Sequence, residues 1–233
     1  MPPRNDGPLA IIIPAYNEAE VLPEVLARIP RAQLGEAVAI VVDDGSEDGT
    51  ALVAERTGAD LVVRHERNRG LGAALRTGLE TARGLNAQAA VYLDADLEYD
   101  PAEIPALLAP VEAGEADYVL GSRFLGRREG HALWRSSGNR VFTLALSFAA
   151  GRRISDGQTG FRAFSARALN VAEIVHDYNY AQVLTLDLLH KGMRLAEVTI
   201  SYRSRSRGRS FINGHYLWRV PLGMARELLG SQP

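Results

Sequence analysis

Short apolar runs alternate with helical patterns through the first half of this chain. The run from Leu9 to Pro14 is rich in β-branched residues and stops at a proline, and Ala37 to Val42 repeats that pattern. Between these two runs, apolar residues from Val21 to Ile29 recur at the spacing of a helix face. Two strand–helix units in succession predict an α/β fold with a mostly parallel, doubly wound sheet.

The remaining elements follow the same alternation. Further strands are predicted over residues 60–64, 90–93, 117–121 and 197–202. Further helices are predicted around Leu52, from Asn68 to about Leu85, and over 101–111, 135–150 and 180–191, with a polar loop over 152–164. We expect one domain over residues 1–210. Residues 211–233 form a separate extension, whose arginines, leucines and Trp218 favour amphipathic interfacial helices.

The stretch from Ala89 to Asp100 joins a buried strand to a cluster of acids. Asp94, Asp96 and Glu98 stand at every second position, so an extended chain would point them to the same side. Crowded carboxylates repel one another unless a cation neutralises them, and oxygen ligands suit Mg²⁺ or Mn²⁺. We therefore expect a divalent metal site at the carboxyl end of a central strand, where open α/β sheets bind ligands.

Charge is divided unevenly along the chain, although the net charge is only −2. Residues 1–121 hold 21 acidic and 9 basic residues, net −12, whereas residues 122–233 hold 7 acidic and 17 basic residues, net +10. Sixteen of those 17 bases are arginine, the side chain suited to forked hydrogen bonds with phosphate. We expect the second half to meet an anion or an anionic surface, and we expect no nucleic-acid partner.

The sequence also bears on compartment and membrane contact. It contains no cysteine, which excludes disulfides and thiolate metal sites. Its first residues lack the apolar core of a signal peptide, and no apolar run approaches the ~20 residues that span a bilayer. We expect a cytoplasmic protein that lies peripherally on the cytoplasmic face of a membrane.

Four polar loops follow predicted strands at one edge of the sheet, over residues 15–18, 43–46, 94–98 and 122–123. Each loop taken alone is explained by turn formation, packing or solvation. Taken together, acids at the ends of several buried strands are better explained by a bound ligand, because side chains at this edge converge.

These loops belong to a series of motifs that carry a family resemblance. In order, the motifs are IIIPAYNEAEVL, VVDDGSEDGT, NRGLGAALRTG, YLDADLEYDPAEIP, GSRFLG, SDGQTGFRAF and RSRGRS. They resemble the inverting family 2 glycosyltransferases with the GT-A nucleotide-sugar-binding fold, and within them the dolichyl- or polyprenyl-phosphate mannosyltransferase branch. The resemblance spans about residues 9–211. It implies transfer of a hexose, mannose first, from a nucleoside-diphosphate sugar to a lipid phosphate with Mg²⁺ or Mn²⁺.

The resemblance also implies residue roles. The nucleotide-sugar pocket would be lined by Pro14, Tyr16, Glu18, Asp43, Asp44, Asp94 and Ala95, with Asp43 or Asp44 bonded to the base. The metal ligands would be Asp94, Asp96 and Glu98, of which Asp96 is the surest and Glu98 replaces the more usual glutamine. The catalytic residues would be Asp96, Arg123, Arg135 and Arg205. The acceptor phosphate would meet Arg135, Asp156, Gln158, Thr159, Arg205 and Ser210, and Phe211 stands where the family usually has lysine.

Several alternatives stay open at this point. The donor could be UDP-glucose or another nucleotide sugar, and the acceptor a polysaccharide or a soluble molecule. A nucleotidyltransferase shares the layout but usually has a glycine-rich loop after its first strand, where this chain has Pro14 to Glu18. A non-catalytic binding subunit and a membrane-embedded partner protein are further possibilities. An acceptor phosphate, with its second pKa near ~6, needs no strong base, so the histidines are interpreted as packing or surface residues.

Overall fold

The computed structural model describes residues 7–124, 128–129, 143–144, 146–174 and 180–203. Its strands are β1 (Leu9–Ala15), β2 (Ala37–Asp43), β3 (Leu61–Arg64), β4 (Ala89–Tyr92), β5 (Tyr118–Ser122), β6 (Arg128–Glu129), β7 (Arg162–Ser165), β8 (Leu195–Thr199) and β9 (Tyr202–Arg203). The first helices are α1 (Leu22–Ala27), α2 (Arg31–Leu34), α3 (Thr50–Thr57), α4 (Leu71–Gly84) and α5 (Ile104–Glu112), the last preceded by a 3₁₀ turn at Pro101–Glu103. Two later helices span Ala166–Val171 and Tyr180–His190.

Seven of these strands form one sheet in the order β3-β2-β1-β4-β7-β5-β8. Strand β7 is antiparallel to both of its neighbours, β4 and β5, and the other pairs are parallel. The short strands β6 and β9 pair with each other outside this sheet. The predicted α/β fold with a mostly parallel sheet is therefore confirmed.

The core lies on both faces of the sheet, because neighbouring residues of a strand point to opposite faces. Ile12 of β1 packs with Leu75 and Leu79 of α4 on one face. Ile11 packs with residues of α1 and α5 on the other face. A Cβ added at Gly78 would lie 2.2 Å from Ile12 Cγ2, so this glycine lets α4 approach the sheet closely. Strands β1, β2, β4 and β5 all run in the same direction, so their carboxyl ends lie at one edge of the sheet.

Two predictions about secondary structure are wrong. The polar loop predicted over 152–164 ends early, because β7 begins at Arg162 and inserts between β4 and β5. A charged residue is unusual in a buried strand. The buried Arg162 side chain is accommodated because it donates to the carbonyls of Thr159 (2.8 Å) and Ala181 (3.0 Å). The single strand predicted over 197–202 is divided, since β8 ends at Thr199 and β9 pairs elsewhere.

Other predictions fall on parts of the chain that the structure leaves undescribed. Most of the predicted helix 135–150 and all of the extension 211–233 lie outside the described residues, although 143–144 and 146–149 are helical. Within the described residues, no helix is long and apolar enough to cross a membrane.

Candidate functional site

The loops that follow β1 and β2 are tied together at the carboxyl edge of the sheet. The backbone N–H of Asn17 donates to Ser46 Oγ (2.9 Å), and that of Glu18 donates to Thr50 Oγ1 (3.0 Å). These bonds place the partly exposed Tyr16 and the buried Glu18 beside the loop that carries the two aspartates after β2. Pro14 lies buried inside β1 just before this junction. The predicted convergence of the first two loops is confirmed by these contacts.

Asp44 holds the loop that leads into α4. Its Oδ1 lies 2.7 Å from His65 Nδ1 and accepts the Arg69 N–H at 2.9 Å, while its Oδ2 accepts the Gly70 N–H at 2.8 Å. The other ring nitrogen of His65 lies 2.9 Å from Thr77 Oγ1. Both oxygens of the Asp44 carboxylate therefore accept hydrogen bonds from within the protein. His65 is buried and hydrogen-bonded to Asp44 and Thr77, as expected for a histidine that serves packing.

Asp43 is bonded differently from its neighbour. Its Oδ1 accepts the Ser46 N–H at 3.0 Å. Within the described part of the chain, its buried Oδ2 receives no hydrogen bond and lies 3.3 Å from Arg64 Nε. A buried acceptor without a hydrogen-bond donor is the kind of atom that a ligand satisfies. Of the two aspartates proposed to meet the base, Asp43 is the one with an acceptor to offer.

The acids after β4 do not stand on an extended chain, so the predicted alternation is wrong. Strand β4 ends at Tyr92, and the chain then turns, with Leu97 in the left-handed region at φ 60°. The Glu98 N–H donates to Asp96 Oδ1 at 3.0 Å, which closes the turn around Leu97. Left-handed backbone is costly for a residue with a branched side chain, and here it sets the directions of Asp96 and Glu98.

The Asp94 carboxyl lies in surroundings that disfavour its charged form. Desolvation, followed by the negative charge of Asp96, raises the pKa of the Asp94 carboxyl to about 8. The Tyr92 hydroxyl donates to Asp94 Oδ1 at 2.5 Å, and the charge of Arg123 also favours the ionised form. The contacts with Tyr92 and Arg123 do not offset desolvation, so the Asp94 carboxyl holds a proton at neutral pH in the metal-free protein.

The expected three-carboxylate metal cluster is not preformed. Among the described residues, no three acidic or histidine side chains come together as a metal site. Glu98 is hydrogen-bonded to the Tyr202 hydroxyl, and burial together with the Glu98 charge raises the pKa of Tyr202. The donor chemistry still fits a hard cation, because Mg²⁺-type sites commonly use one or two carboxylates and complete their shell with phosphate oxygens. Asp94 and Asp96 are the carboxylates that fit this pattern.

Arg123 follows β5 and lies close enough to the acidic loop for its charge to act on Asp94. Its Nε donates to Asp156 Oδ2 (2.6 Å) and its Nη2 to Asp156 Oδ1 (2.8 Å), a fork that fixes the guanidinium plane. The guanidinium carbon also lies 5.3 Å from the centre of the Tyr202 ring. Asp156 is fully buried, so its carboxylate contacts Arg123 and is not exposed at the surface of the site.

The loop from Asp156 to Phe161 closes the site from above β4. The Gly160 N–H donates to the Tyr99 hydroxyl at 2.8 Å, and a Cβ added at Gly160 would lie 1.9 Å from Asp94 Oδ2. Thr159 is fully buried, and Gln158 is partly buried with its N–H 3.3 Å from Asp156 Oδ1. Ala95 lies within the acidic loop, between Asp94 and Asp96, and is buried.

Three predicted residues cannot be placed, because Arg135, Arg205 and Ser210 lie outside the described residues, as does Phe211. Conversely, the structure brings to the site Gly160, Tyr202 and Glu197, which no sequence motif marks as site residues. Their only signal in the sequence was indirect: Glu197 is a charged residue in a predicted strand, and Gly160 lies in a loop rich in turn residues.

Comparison with known proteins places this geometry in context. The family model described as Glycosyl transferase family 2 matches residues 10–171. The chain is 32% identical over 215 residues to polyprenol monophosphomannose synthase of Mycolicibacterium smegmatis, covering 88% of this chain and 80% of the relative. It is 31% identical over 184 residues to the UDP-N-acetylglucosamine–dolichyl-phosphate N-acetylglucosaminyltransferase of Methanococcus voltae, covering 71% and 72%.

A solved structure shares the fold. Glucosyl-3-phosphoglycerate synthase of Mycobacterium tuberculosis, crystallised with Mn²⁺, uridine diphosphate and glucosyl-3-phosphoglycerate, superposes with a TM-score of 0.76. The match covers 96% of this chain and 80% of that chain at 23% sequence identity. At this identity the likeness establishes the architecture alone.

Proposed function

The chain belongs to glycosyl transferase family 2 and is a hexosyltransferase, and we propose that it moves mannose from a nucleoside-diphosphate sugar to a polyprenyl or dolichyl phosphate, with inversion. The observation that carries the proposal is the meeting of the Asp94–Glu98 loop and Arg123 at the carboxyl edge of the sheet. A relative named for phosphomannose synthesis on polyprenol supports this choice of sugar and acceptor.

The donor base is assigned to the pocket around Asp43. Its Oδ2 can accept an N–H from either guanine or uracil, so this contact binds a base without choosing between the two. Pro14, Tyr16, Glu18 and Ala95 would line the same pocket. The relative named for UDP-N-acetylglucosamine makes a uridine donor the alternative.

The leaving diphosphate is assigned to the region between the acidic loop and Arg123. Asp94 and Asp96, with Glu98 nearby, would hold Mg²⁺ or Mn²⁺, and a solved relative of the same fold binds Mn²⁺ with uridine diphosphate. When bound, such a cation neutralises negative charge that develops on the departing diphosphate. Arg123 adds a fixed positive charge, because Asp156 orients its guanidinium before any substrate arrives.

The acceptor phosphate supplies its own nucleophile. At neutral pH its oxygen is already ionised, since the second pKa of a phosphate monoester is near ~6, so no strong general base is required. The oxygen forms a bond to the anomeric carbon from the face opposite the nucleotide, while the bond from that carbon to the diphosphate oxygen breaks. We assign Arg135, Arg205 and Ser210 to this phosphate, together with the loop that carries Gln158 and Thr159.

The lipid end of the acceptor is assigned to the membrane surface. Leu144 and Phe148 are four residues apart, each at a helical position, with 69% and 92% of their surfaces exposed. Arg152 and Arg153 follow them and are exposed. Apolar and cationic groups side by side suit the boundary of an anionic bilayer. We propose that residues 211–233 join this contact, so that the protein is peripheral at the cytoplasmic face, with or without a membrane-embedded partner.

The proposed function is tested by following labelled sugar. The purified chain is incubated with Mn²⁺, labelled GDP-mannose or UDP-glucose, and one of three acceptors: polyprenyl phosphate, the unphosphorylated polyprenol, or a soluble sugar. We expect label in the organic phase only with the phosphate, and no transfer by Asp96→Ala. Label that reaches only the soluble acceptor would overturn the lipid assignment, and release of pyrophosphate from a nucleoside triphosphate would indicate a nucleotidyltransferase.

A further inference from the structure

We propose that Glu197 is a positioning residue, whose carboxylate fixes the two loops that hold Arg123. The inference rests on the proposed function, because Arg123 is assigned there to the donor diphosphate. Glu197 lies in β8 beside Leu120 of the parallel strand β5, directly below the point where β5 ends. It is therefore built into the sheet, next to the loops that it contacts.

One of these loops begins at Ser155. Glu197 Oε1 accepts the Ser155 N–H at 2.8 Å, the Ser155 hydroxyl at 2.6 Å and the Asp156 N–H at 3.2 Å. Its Oε2 lies 3.1 Å from the same Ser155 nitrogen. A single carboxylate thus captures two consecutive backbone N–H groups and a side chain, which fixes the backbone from which the Asp156 side chain projects.

The second loop is reached through a chain of hydroxyl groups. Ser155 Oγ lies 2.6 Å from Ser122 Oγ. A serine hydroxyl has one proton, and Ser155 gives its proton to Glu197, so Ser122 must donate to Ser155. Ser122 Oγ in turn accepts the Phe124 N–H at 3.3 Å. The residues on both sides of Arg123 are therefore oriented by a hydrogen-bond chain that ends on Glu197.

Arg123 is the residue that both loops share. Its backbone N–H donates to Asp156 Oδ2 at 3.1 Å, and its guanidinium forms the fork with the same carboxylate. The contacts that we assign to Glu197 reach Arg123 through Asp156 on one side and Ser122 on the other. Removing the Glu197 carboxylate would leave Asp156 and Ser122 free to shift, and Arg123 with them. A shift of about 1 Å in a catalytic group can lower the rate about 100-fold.

The test compares Glu197→Ala and Glu197→Gln with a matched control, Asp117→Ala. Asp117 immediately precedes β5, and its carboxylate accepts the N–H (3.0 Å) and Nε–H (2.9 Å) of Arg194, which immediately precedes β8. It therefore joins the same two strands at their opposite end, away from Arg123. The measurements are solvent exchange of the Arg123 Nε–H by NMR without substrate, kcat/KM for the donor sugar, and the Tm.

Glu197→Ala is expected to speed Nε–H exchange about tenfold and to lower kcat/KM about tenfold or more, given the sensitivity of catalysis to misplacement. Glu197→Gln should stay within about threefold of the parent, because the amide oxygen still accepts the Ser155 and Asp156 donors. Asp117→Ala should lower the Tm and leave the exchange and the kinetics unchanged. Glu197→Ala that behaves like Asp117→Ala would overturn the proposal.

A second variant protects the test against misfolding. Ser155→Ala removes only the hydroxyl chain, and it should speed exchange at Arg123 as well. Unchanged exchange in Ser155→Ala would overturn the proposal even if Glu197→Ala does not fold. If the parent protein transfers no sugar to lipid phosphate, the proposed function fails, whereas the exchange measurements still decide the role of Glu197.

Discussion

Arg123 and Asp156 are paired through both ends of the guanidinium fork, with nitrogen–oxygen distances of 2.6 and 2.8 Å, and both side chains are buried. The pair joins the loop after β5 to the loop before β7. It also directs positive charge toward the acidic loop after β4. Desolvation raises the pKa of Asp94, and the charge of Arg123 opposes that rise in part.

Asp156→Asn should both destabilise the protein and slow turnover. The carboxylate meets the two guanidinium nitrogens with two different oxygens, and an amide has only one oxygen and turns its NH₂ group toward the other nitrogen. A buried cation is then left partly unpaired, which costs about 3–5 kcal/mol when a partner is removed outright. We expect a loss of about 3 kcal/mol by urea unfolding, with a lower kcat measured under conditions where the variant is folded. Unchanged stability would contradict a buried pair.

Asp43→Asn should weaken nucleotide binding, whereas Asp44→Asn should destabilise the fold. Asp43→Asn keeps an oxygen for the Ser46 N–H but replaces the oxygen that receives no hydrogen bond within the described part of the chain. Nucleotide affinity should fall about tenfold, as for one lost hydrogen bond to a charged group. Asp44→Asn replaces one of two oxygens that both accept hydrogen bonds inside the protein, so its NH₂ group faces a donor such as the Gly70 N–H. It should therefore lower the free energy of unfolding by about 2 kcal/mol. Calorimetric binding of GDP and UDP, together with urea unfolding, separates the two. A larger affinity loss in Asp44→Asn would reverse the assignment.

Metal binding should strengthen as the pH rises from 6 to 8. The pKa of the Asp94 carboxyl in the folded, metal-free protein is raised to about 8 by desolvation and by Asp96. Between its ordinary value of 3.8 and about 8 the folded state holds a proton that the unfolded state has lost, so metal-free stability falls as the pH rises. Mn²⁺ must displace that proton, and the increase in Tm caused by Mn²⁺ should therefore be larger at pH 8 than at pH 6. Asp94→Asn should remove the pH dependence.

Gly160→Ala should displace Asp94 without unfolding the chain. The added Cβ would lie 1.9 Å from Asp94 Oδ2, so one of the two must move. We expect kcat to fall at least about tenfold, with weaker Mn²⁺ binding, because misplacement of a catalytic group is costly. Gly84→Ala is the matched control, since its Cβ would meet no atom within 4 Å. Equal activity of the two variants would argue against a close approach of Gly160 to Asp94.

Phe148→Ser should weaken attachment to anionic vesicles. Phe148 has 92% of its surface exposed beside the exposed Arg152 and Arg153, so its removal takes away apolar contact with lipid but no core packing. We expect a smaller floated fraction at low salt and an unchanged Tm, and release of the parent protein at high salt because charge attraction is screened. Leu52→Ser is the control, because Leu52 is 49% exposed on α3. Equal flotation of parent and Phe148→Ser would locate the lipid contact elsewhere.

Most of the fold could be predicted from the sequence because the signals are local. Apolar runs, helical spacing and the polar residues that end each strand gave β1, β2, β4 and β5 in order and brought their loops to one edge. Strand β7 could not be predicted from the sequence, because it buries Arg162. A buried arginine is stable only when carbonyls from distant residues, such as that of Ala181, accept its hydrogen bonds.

The acids of the site could be identified from the sequence, but the hydrogen-bond partners of each acid could not. The sequence by itself determined that carboxylates and arginines gather at the carboxyl edge of a mostly parallel sheet. Only the tertiary structure decided which residues these side chains bond. Asp44 bonds His65, 21 residues away, and Asp156 pairs with Arg123, 33 residues away. Glu197 accepts a hydrogen bond from Ser155, 42 residues away. The reason is physical: which polar atoms remain available for a ligand depends on hydrogen bonds between residues that only the folded chain brings together.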